Sequence, residues 1–206
     1  DVFNDAPERQ LKAGETLIHA GETASQVFNI LDGCLMVSRV GTDGRRQVMS
    51  FLFENNFVGL TATDKYFFTV EAITPATVVW RSRNQLEDYL ARDAKAQRTF
   101  LDMVFRVLEN SLDLVYSIGQ RTAIERLAVL LLFLRRQHKL ANAHLDNPNL
   151  VPLPMSRQDI ADFASITMES AVKFLKEFEK EGLIKQDGKK IIIKNMQVLT
   201  ELDMKG

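Results

Sequence analysis

The chain has one cysteine, Cys34, in 206 residues. No disulfide can close within one chain, and no cysteine cluster is available for zinc or an iron–sulfur centre. The three histidines, His19, His138 and His144, form no ligand pair at helical spacing, so no metal site is expected. No apolar run reaches the length that crosses a bilayer, and no secretory signal opens the chain. The expectation is a reduced, cytoplasmic protein with no membrane partner. A phosphate loop, a G-x-S-x-G turn, a metal triad and a Cys–His pairing at recognisable spacing are all missing, so no enzyme is indicated. Net charge is only −1, so no global basic field announces nucleic acid. There is no internal repeat and no low-complexity segment.

What is present is a chain 46% hydrophobic, enough for one large or two small cored domains. The most informative stretch runs from Pro154 to Lys194. Ser156 suits an N-cap, and Asp159 completes a capping box. Ile160, Ala161 and Ala164 then share a helical face. Thr167 is a second N-cap, after which Ala171, Phe174, Leu175 and Phe178 recur at helical spacing. Met168, Glu169, Ser170 and Lys173 fall on the opposite, exposed face. Asp187-Gly188 between apolar runs predicts a hairpin with positive φ at both central residues. Helix-turn-helix plus hairpin is a winged helix, whose second helix lies in a DNA major groove. Residues 152–195 hold eight Lys/Arg against seven Asp/Glu, so placement of charge, not its sum, must attract DNA.

Residues 11–83 read as short strands: Thr16–His19, two around Asp32-Gly33, one over residues 46–53, and two broken at Thr74-Pro75. Their spacing predicts a β-sandwich or barrel. Residues 54–66 read as a loop with a short helical piece. The chain is helical from Asn84. Leu101, Phe105, Leu108, Leu112 and Val115 step by four, three, four and three. Val104, Ser111, Leu114 and Ile118 widen the stripe into a second face. One face can cover the barrel while the other pairs with its copy in a second chain; the alternative is a buried core helix in a monomer. Gly119 reads as the end of that helix and a hinge. The next helix buries Ile124, Leu127, Leu131 and Leu134 and ends in a basic turn suited to the helix dipole. An Asn/Pro-rich loop, residues 141–154, follows.

In this order, AGE near residue 20, DG at 32–33, FVG at 57–59, ERLA at 125–128, SRQDIADF followed by the FLKEFEKEGLI helix, and GKKIIIKN resemble the CRP/FNR superfamily of bacterial transcription regulators. The resemblance covers nearly the whole chain. It implies an α+β chain with a cyclic-nucleotide-binding-like β-barrel over residues 1–91, a dimerisation helix and hinge over 92–119, and a winged-helix DNA-binding domain over 120–206. It further implies a homodimer on a palindromic operator, in contact with RNA polymerase. Glu169 matches the family glutamate that accepts from cytosine N4, or else merely favours the helix dipole. Lys173 stands where the family has a guanine-reading arginine; it keeps the charge and loses the rigid fork. Met168 and Val172 depart from both well-known half-site readers, and either contact a thymine methyl or pack. Arg157, Thr167 and Ser170 correspond to phosphate contacts.

At the sensory end the pattern thins. Cyclic-nucleotide binders follow FVG with a glutamate and then an Arg-Ser pair. Here Gly59 is followed by Leu60, and residues 60–70 contain no arginine. A buried phosphate would lie unpaired there, so cyclic AMP is not expected to bind. Tyr66, Phe67 and Phe68 either fill space between barrel and helix or line an apolar effector pocket. FTVEAIT looks closer to the FNR and FixK types, yet FNR's iron–sulfur cluster needs four cysteines. Cys34 is a redox switch or a small buried hydrophobe. The cofactor stays open, with haem on one of the histidines as one alternative. A cyclic-nucleotide-responsive regulator with an atypical pocket is another, and a ligand module whose helix-turn-helix contacts protein is a third.

Overall fold

The structure is a computed structural model and describes residues 2–141, 147 and 149–204. His144, and most of the loop expected around it, lie outside the described residues. The chain divides into two compact units, residues 1–113 and 114–206.

The first unit begins with eight strands: β1 (Glu8–Leu11), β2 (Thr16–Ile18), β3 (Gln26–Asp32), β4 (Leu35–Val40), β5 (Arg46–Leu52), β6 (Phe57–Val58), β7 (Thr69–Ala72) and β8 (Ala76–Ser82). They form two four-stranded sheets, ordered β1-β8-β3-β6 and β2-β7-β4-β5. Each pairing is antiparallel. Among the described residues these sheets do not close into a barrel. They share one core instead, with Phe28, Ile30 and Val78 of one sheet clustered with Leu35, Val37 and Val70 of the other. Alternation of apolar and polar residues puts one face of each strand into that core.

Asp32-Gly33 does not join a hairpin. β3 and β4 lie in different sheets, and Gly33 makes the crossover at φ +97, with its missing Cβ 2.6 Å from Ala76 Cβ and Pro75 O. The expected helical piece in residues 54–66 is absent. Asn55 (φ 65) and Gly59 (φ +105) are left-handed, which breaks any helix, and β6 lies between them.

Two helices follow. α1 (Arg83–Arg92) starts at Ser82, where a capping box with Gln85 is complete. Asp93 breaks the chain in an extended conformation. Its carboxylate then accepts from the backbone N–H of Lys95 and Ala96, opening α2 (Ala94–Gln120). Gly119 does not end α2; the helix runs one residue past it, and the break falls at Arg121-Thr122. Gly119 keeps helical backbone because its neighbours can still close the last turn. The second face expected on α2 is not continuous. Val104 and Leu114 are half-buried, while Ser111 and Ile118 are exposed.

α3 (Ala123–Ala141) opens at Thr122, whose N–H and hydroxyl both donate to Glu125. Leu127, Leu130, Leu131 and Leu134 bury it in the second unit. β9 (Leu150–Pro152), unforeseen in the sequence, pairs with the wing. α4 (Arg157–Ala164), α5 (Met168–Lys180), β10 (Ile184–Asp187), β11 (Lys190–Ile193) and α6 (Met196–Met204) complete the unit. The wing sheet is thus three-stranded, β10-β11-β9. Its turn is shifted by one residue from the expectation. Asp187 pairs with Lys190, so the central residues are Gly188 and Lys189, and of the two only Gly188 has positive φ. This matches a type II′ turn, which needs glycine only at its first central position.

Candidate nucleic-acid interface

The helix-turn-helix is assembled by its caps. Ser156 Oγ accepts from the Asp159 N–H at 3.1 Å, and Asp159 Oδ2 accepts from the Ser156 N–H at 2.9 Å. The turn passes through Ser165 in the left-handed region at φ 52. Thr167 then caps α5, its hydroxyl accepting from the Ser170 N–H at 3.2 Å. Ala171, Leu175 and Phe178 bury the inner face of α5, with Phe174 only half-buried. That packing leaves the first turn facing outward. Met168 is 43% exposed, and Glu169 and Lys173 are exposed. Ser170 and Val172 are half-buried. Glu169 and Lys173 are four residues apart, one above the other on one helix face.

The other expected phosphate contacts are tied into the fold. Thr167 and Ser170 share a hydroxyl–hydroxyl bond of 3.1 Å. Arg157, the first residue of α4, donates from Nη2 to Gln186 Oε1 on β10 at 2.9 Å. Gln186 in turn donates to Glu179 of α5. Those bonds hold the Glu179 carboxyl below the usual carboxylate range, the backbone N–H of Gln186 contributing most and its side-chain amide next. Lys173 Nζ lies 5.9 Å from the Phe174 ring centroid.

Four contributors were not legible as such in the sequence. Gln186 lies in no motif and Glu179 only within FLKEFEKEGLI; the folded wing is what brings both to Arg157. Arg126, noted only within ERLA, donates to Ser165 O at 3.2 Å, Arg121 O at 3.1 Å and Ile118 O at 3.3 Å. One guanidinium thus satisfies carbonyls at the end of α2 and in the helix-turn-helix turn. Arg121 donates to Asp203 of α6 at 2.8 Å.

Comparison with known proteins bears on what such an arrangement serves. Residues 125–202 match the Crp-like helix-turn-helix domain, and residues 8–93 match the cyclic nucleotide-binding domain. The chain belongs to the CRP/FNR family. The nitrogen fixation regulation protein FixK of Bradyrhizobium diazoefficiens is 28% identical over 172 residues, covering 84% of this chain and 71% of its own. The transcriptional activator protein FnrL of Cereibacter sphaeroides is 26% identical over 186 residues, covering 90% and 75%. The structure of FixK2 from Bradyrhizobium japonicum superposes with a TM-score of 0.87 at 28% identity, covering 96% of this chain and 97% of that one. This CRP/FNR regulator is therefore of the FNR/FixK type, and it is a DNA-binding transcription regulator.

In this CRP/FNR regulator the segment after FVG is fastened inward. A Cβ on Gly59 would lie 2.5 Å from Gln26 O, so only glycine lets the segment approach β3. Tyr66 is buried. Its hydroxyl donates to Gln26 O at 2.7 Å and accepts from the Gln26 N–H at 3.2 Å, and burial pushes its pKa up. Phe68 joins the same core, while Phe67 is 46% exposed and touches Phe68 edge-on at 5.0 Å. Tyr66 and Phe68 thus belong to the core shared by the two sheets. Leu60 lies elsewhere, in a cleft of about 370 Å³ with Thr61, Ala62, Leu86, Leu90, Phe100 and Val104 among its lining. Arg83 also reaches this cleft, paired with Glu87 at 2.9 Å. Cys34 is buried, and its backbone N–H donates to Thr74 Oγ1. Burial lowers the pKa of His138, which weakens its charge as a partner for the α3 dipole. Among the described residues, no group of three His, Cys, Asp or Glu side chains could hold a metal ion, and no helix is long and apolar enough to cross a membrane.

Proposed function

We propose that this regulator reads a roughly palindromic operator as a homodimer, with the α5 helix of each chain in a major groove. The observation that carries this reading is the outward first turn of α5, held there by the Thr167 cap and the buried inner face. Glu169 accepts from cytosine N4, and Lys173 donates to guanine O6 or N7. Met168 and Val172 adjust the choice of neighbouring bases. Arg157, Thr167 and Ser170 hold phosphates, the two hydroxyls exchanging their mutual bond for the DNA. Leu101, Phe105, Leu108, Leu112 and Val115 of α2 supply the dimer seam.

The chain works as three parts: sensor (1–91), dimerisation helix (92–119) and reading head (120–206), with the hinge moved from Gly119 to the break at Arg121-Thr122. It acts in the cytoplasm on RNA polymerase, without enzymatic activity of its own. Its effector is not cyclic AMP, because residues 60–70 offer no arginine to a phosphate. A small apolar effector is a second reading, favoured by the cleft beside Leu60; a true ligand would raise the unfolding temperature. Selection of bound sequences from random DNA tests the main reading. A palindrome with half-sites about 10 bp apart is the expected result. An asymmetric consensus, or none, would refute it.

A further inference from the structure

We infer that Gln186 and Glu179 are positioning residues that aim the Arg157 guanidinium at a DNA phosphate, an inference resting on the phosphate reading of Arg157. Three elements meet at this point: the start of α4, the wing strand β10 and the second half of α5. Glu179 Oε1 accepts from the Gln186 backbone N–H at 2.8 Å, and Glu179 Oε2 accepts from Gln186 Nε2 at 3.0 Å. Gln186 Oε1 accepts from Arg157 Nη2 at 2.9 Å.

The chemistry at both ends dictates the middle. A carboxylate only accepts and a guanidinium only donates. The Gln186 amide must therefore turn its NH₂ to Glu179 and its oxygen to Arg157. Rotating the amide by half a turn would set donor against donor and acceptor against acceptor. The two bonds from Gln186 lower the pKa of Glu179, which agrees with a carboxylate that stays ionised here. At this contact Arg157 meets a neutral oxygen and not a carboxylate. Its direction is set while its positive charge is not cancelled. One of its five N–H donors is engaged in this bond, and the fork remains suited to two-point contact with a phosphate. A direct ion pair would have aimed the group at the cost of its attraction for DNA.

The test uses the 206-residue chain, its R157A, Q186M and E179Q variants and the R157A/Q186M double variant. Binding is measured to a mixed-sequence DNA duplex, and to its best selected sequence, over a range of salt. Met keeps the length of Gln186 and loses its strong acceptor. R157A removes one phosphate contact from each chain of the dimer, so it is expected to reduce the salt slope by about two and to weaken both duplexes alike. Q186M is expected to weaken both by about two- to tenfold, with E179Q in the same direction and smaller. In the double variant the Q186M effect should vanish, because there is no guanidinium left to aim. If Q186M weakens binding equally with and without Arg157, or changes which sequence is preferred, the relay is wrong while the phosphate contact stands. If R157A leaves the salt slope unchanged, the phosphate reading itself is wrong and the relay goes with it. Should Q186M unfold, E179Q and its double variant with R157A give the same comparison from the other end.

Discussion

Leu127, Leu130, Leu131 and Leu134 of α3 are each at most 1% exposed, whereas Leu101, Phe105, Leu108, Leu112 and Val115 of α2 are 43–68% exposed. Both helices repeat apolar residues at intervals of three and four. α3 meets α4, α6 and β9 and hides its leucines among them. α2 is 27 residues long and has one buried residue, Ser117. An apolar stripe of that length on a helix left open to water is a surface for association. Similar periodicity therefore has two outcomes: in α3 it builds a core, and in α2 it leaves an exposed apolar stripe, the surface proposed above to pair with a second copy. What separates them in the sequence is breadth. α3 is apolar at every position from 127 to 134, while α2 keeps Arg106, Glu109, Asn110 and Asp113 between its apolar positions.

Charging the α2 stripe should have the largest effect. The double variant L108E/L112E is expected to leave the chain folded but monomeric, because these side chains lie on the surface of one chain. DNA affinity should then fall by about a hundredfold or more, since the two half-sites no longer act together. Gel filtration and a DNA titration check both parts. Loss of the fold itself would erase the contrast with α3.

Next comes the buried helix. Leu131→Ala should cost about 2–5 kcal/mol of stability, read by chemical denaturation, through lost burial and a residual cavity. Assembly should survive wherever the chain remains folded. A cost near zero would mean that α3 is no more a core helix than α2.

The reading head gives a smaller, more local effect. Glu169→Ala should relax selectivity at one base pair of each half-site by about 1–3 kcal/mol. Its effect on the fold should be only tenths of a kcal/mol. Unchanged selectivity would leave Glu169 as a helix-dipole residue.

The smallest expected effect is in the sensor. Tyr66→Phe should cost about 0.5–1.5 kcal/mol by removing the bonds to Gln26. Because burial raises the Tyr66 pKa, its contribution is fully present below the ordinary tyrosine value and is lost as pH rises through the higher folded value. Stability profiles of the two proteins should therefore converge at alkaline pH. Parallel profiles would place Tyr66 outside the role given to it here.

Much of the fold is legible in residue order. The Ser156-x-x-Asp159 box and the Thr167 cap are local devices, so the helix-turn-helix follows from neighbouring residues alone. The α2 stripe is equally plain. Elements whose reason lies far away along the chain are not. β9 is three residues long and is a strand only because β11 lies beside it. β6 depends on the approach of Gly59 to Gln26. The wing turn slips by one because Asp187 is needed opposite Lys190, a register set by the whole hairpin. At the reading head, Glu169 and Lys173 follow from helical spacing, whereas the Arg157–Gln186–Glu179 contact joins residues 29 and 7 apart through tertiary structure. The aromatic run at 66–68 announces burial but not that its middle residue faces outward.

Whether a second copy of this chain completes the α2 stripe, as proposed above, can be read from sedimentation equilibrium of the 206-residue chain beside its L108E/L112E variant. A mass of two chains is expected for the unaltered protein and of one chain for the folded variant. A native protein that sediments as a single chain across the accessible concentration range, or a variant that still sediments as two, would contradict it.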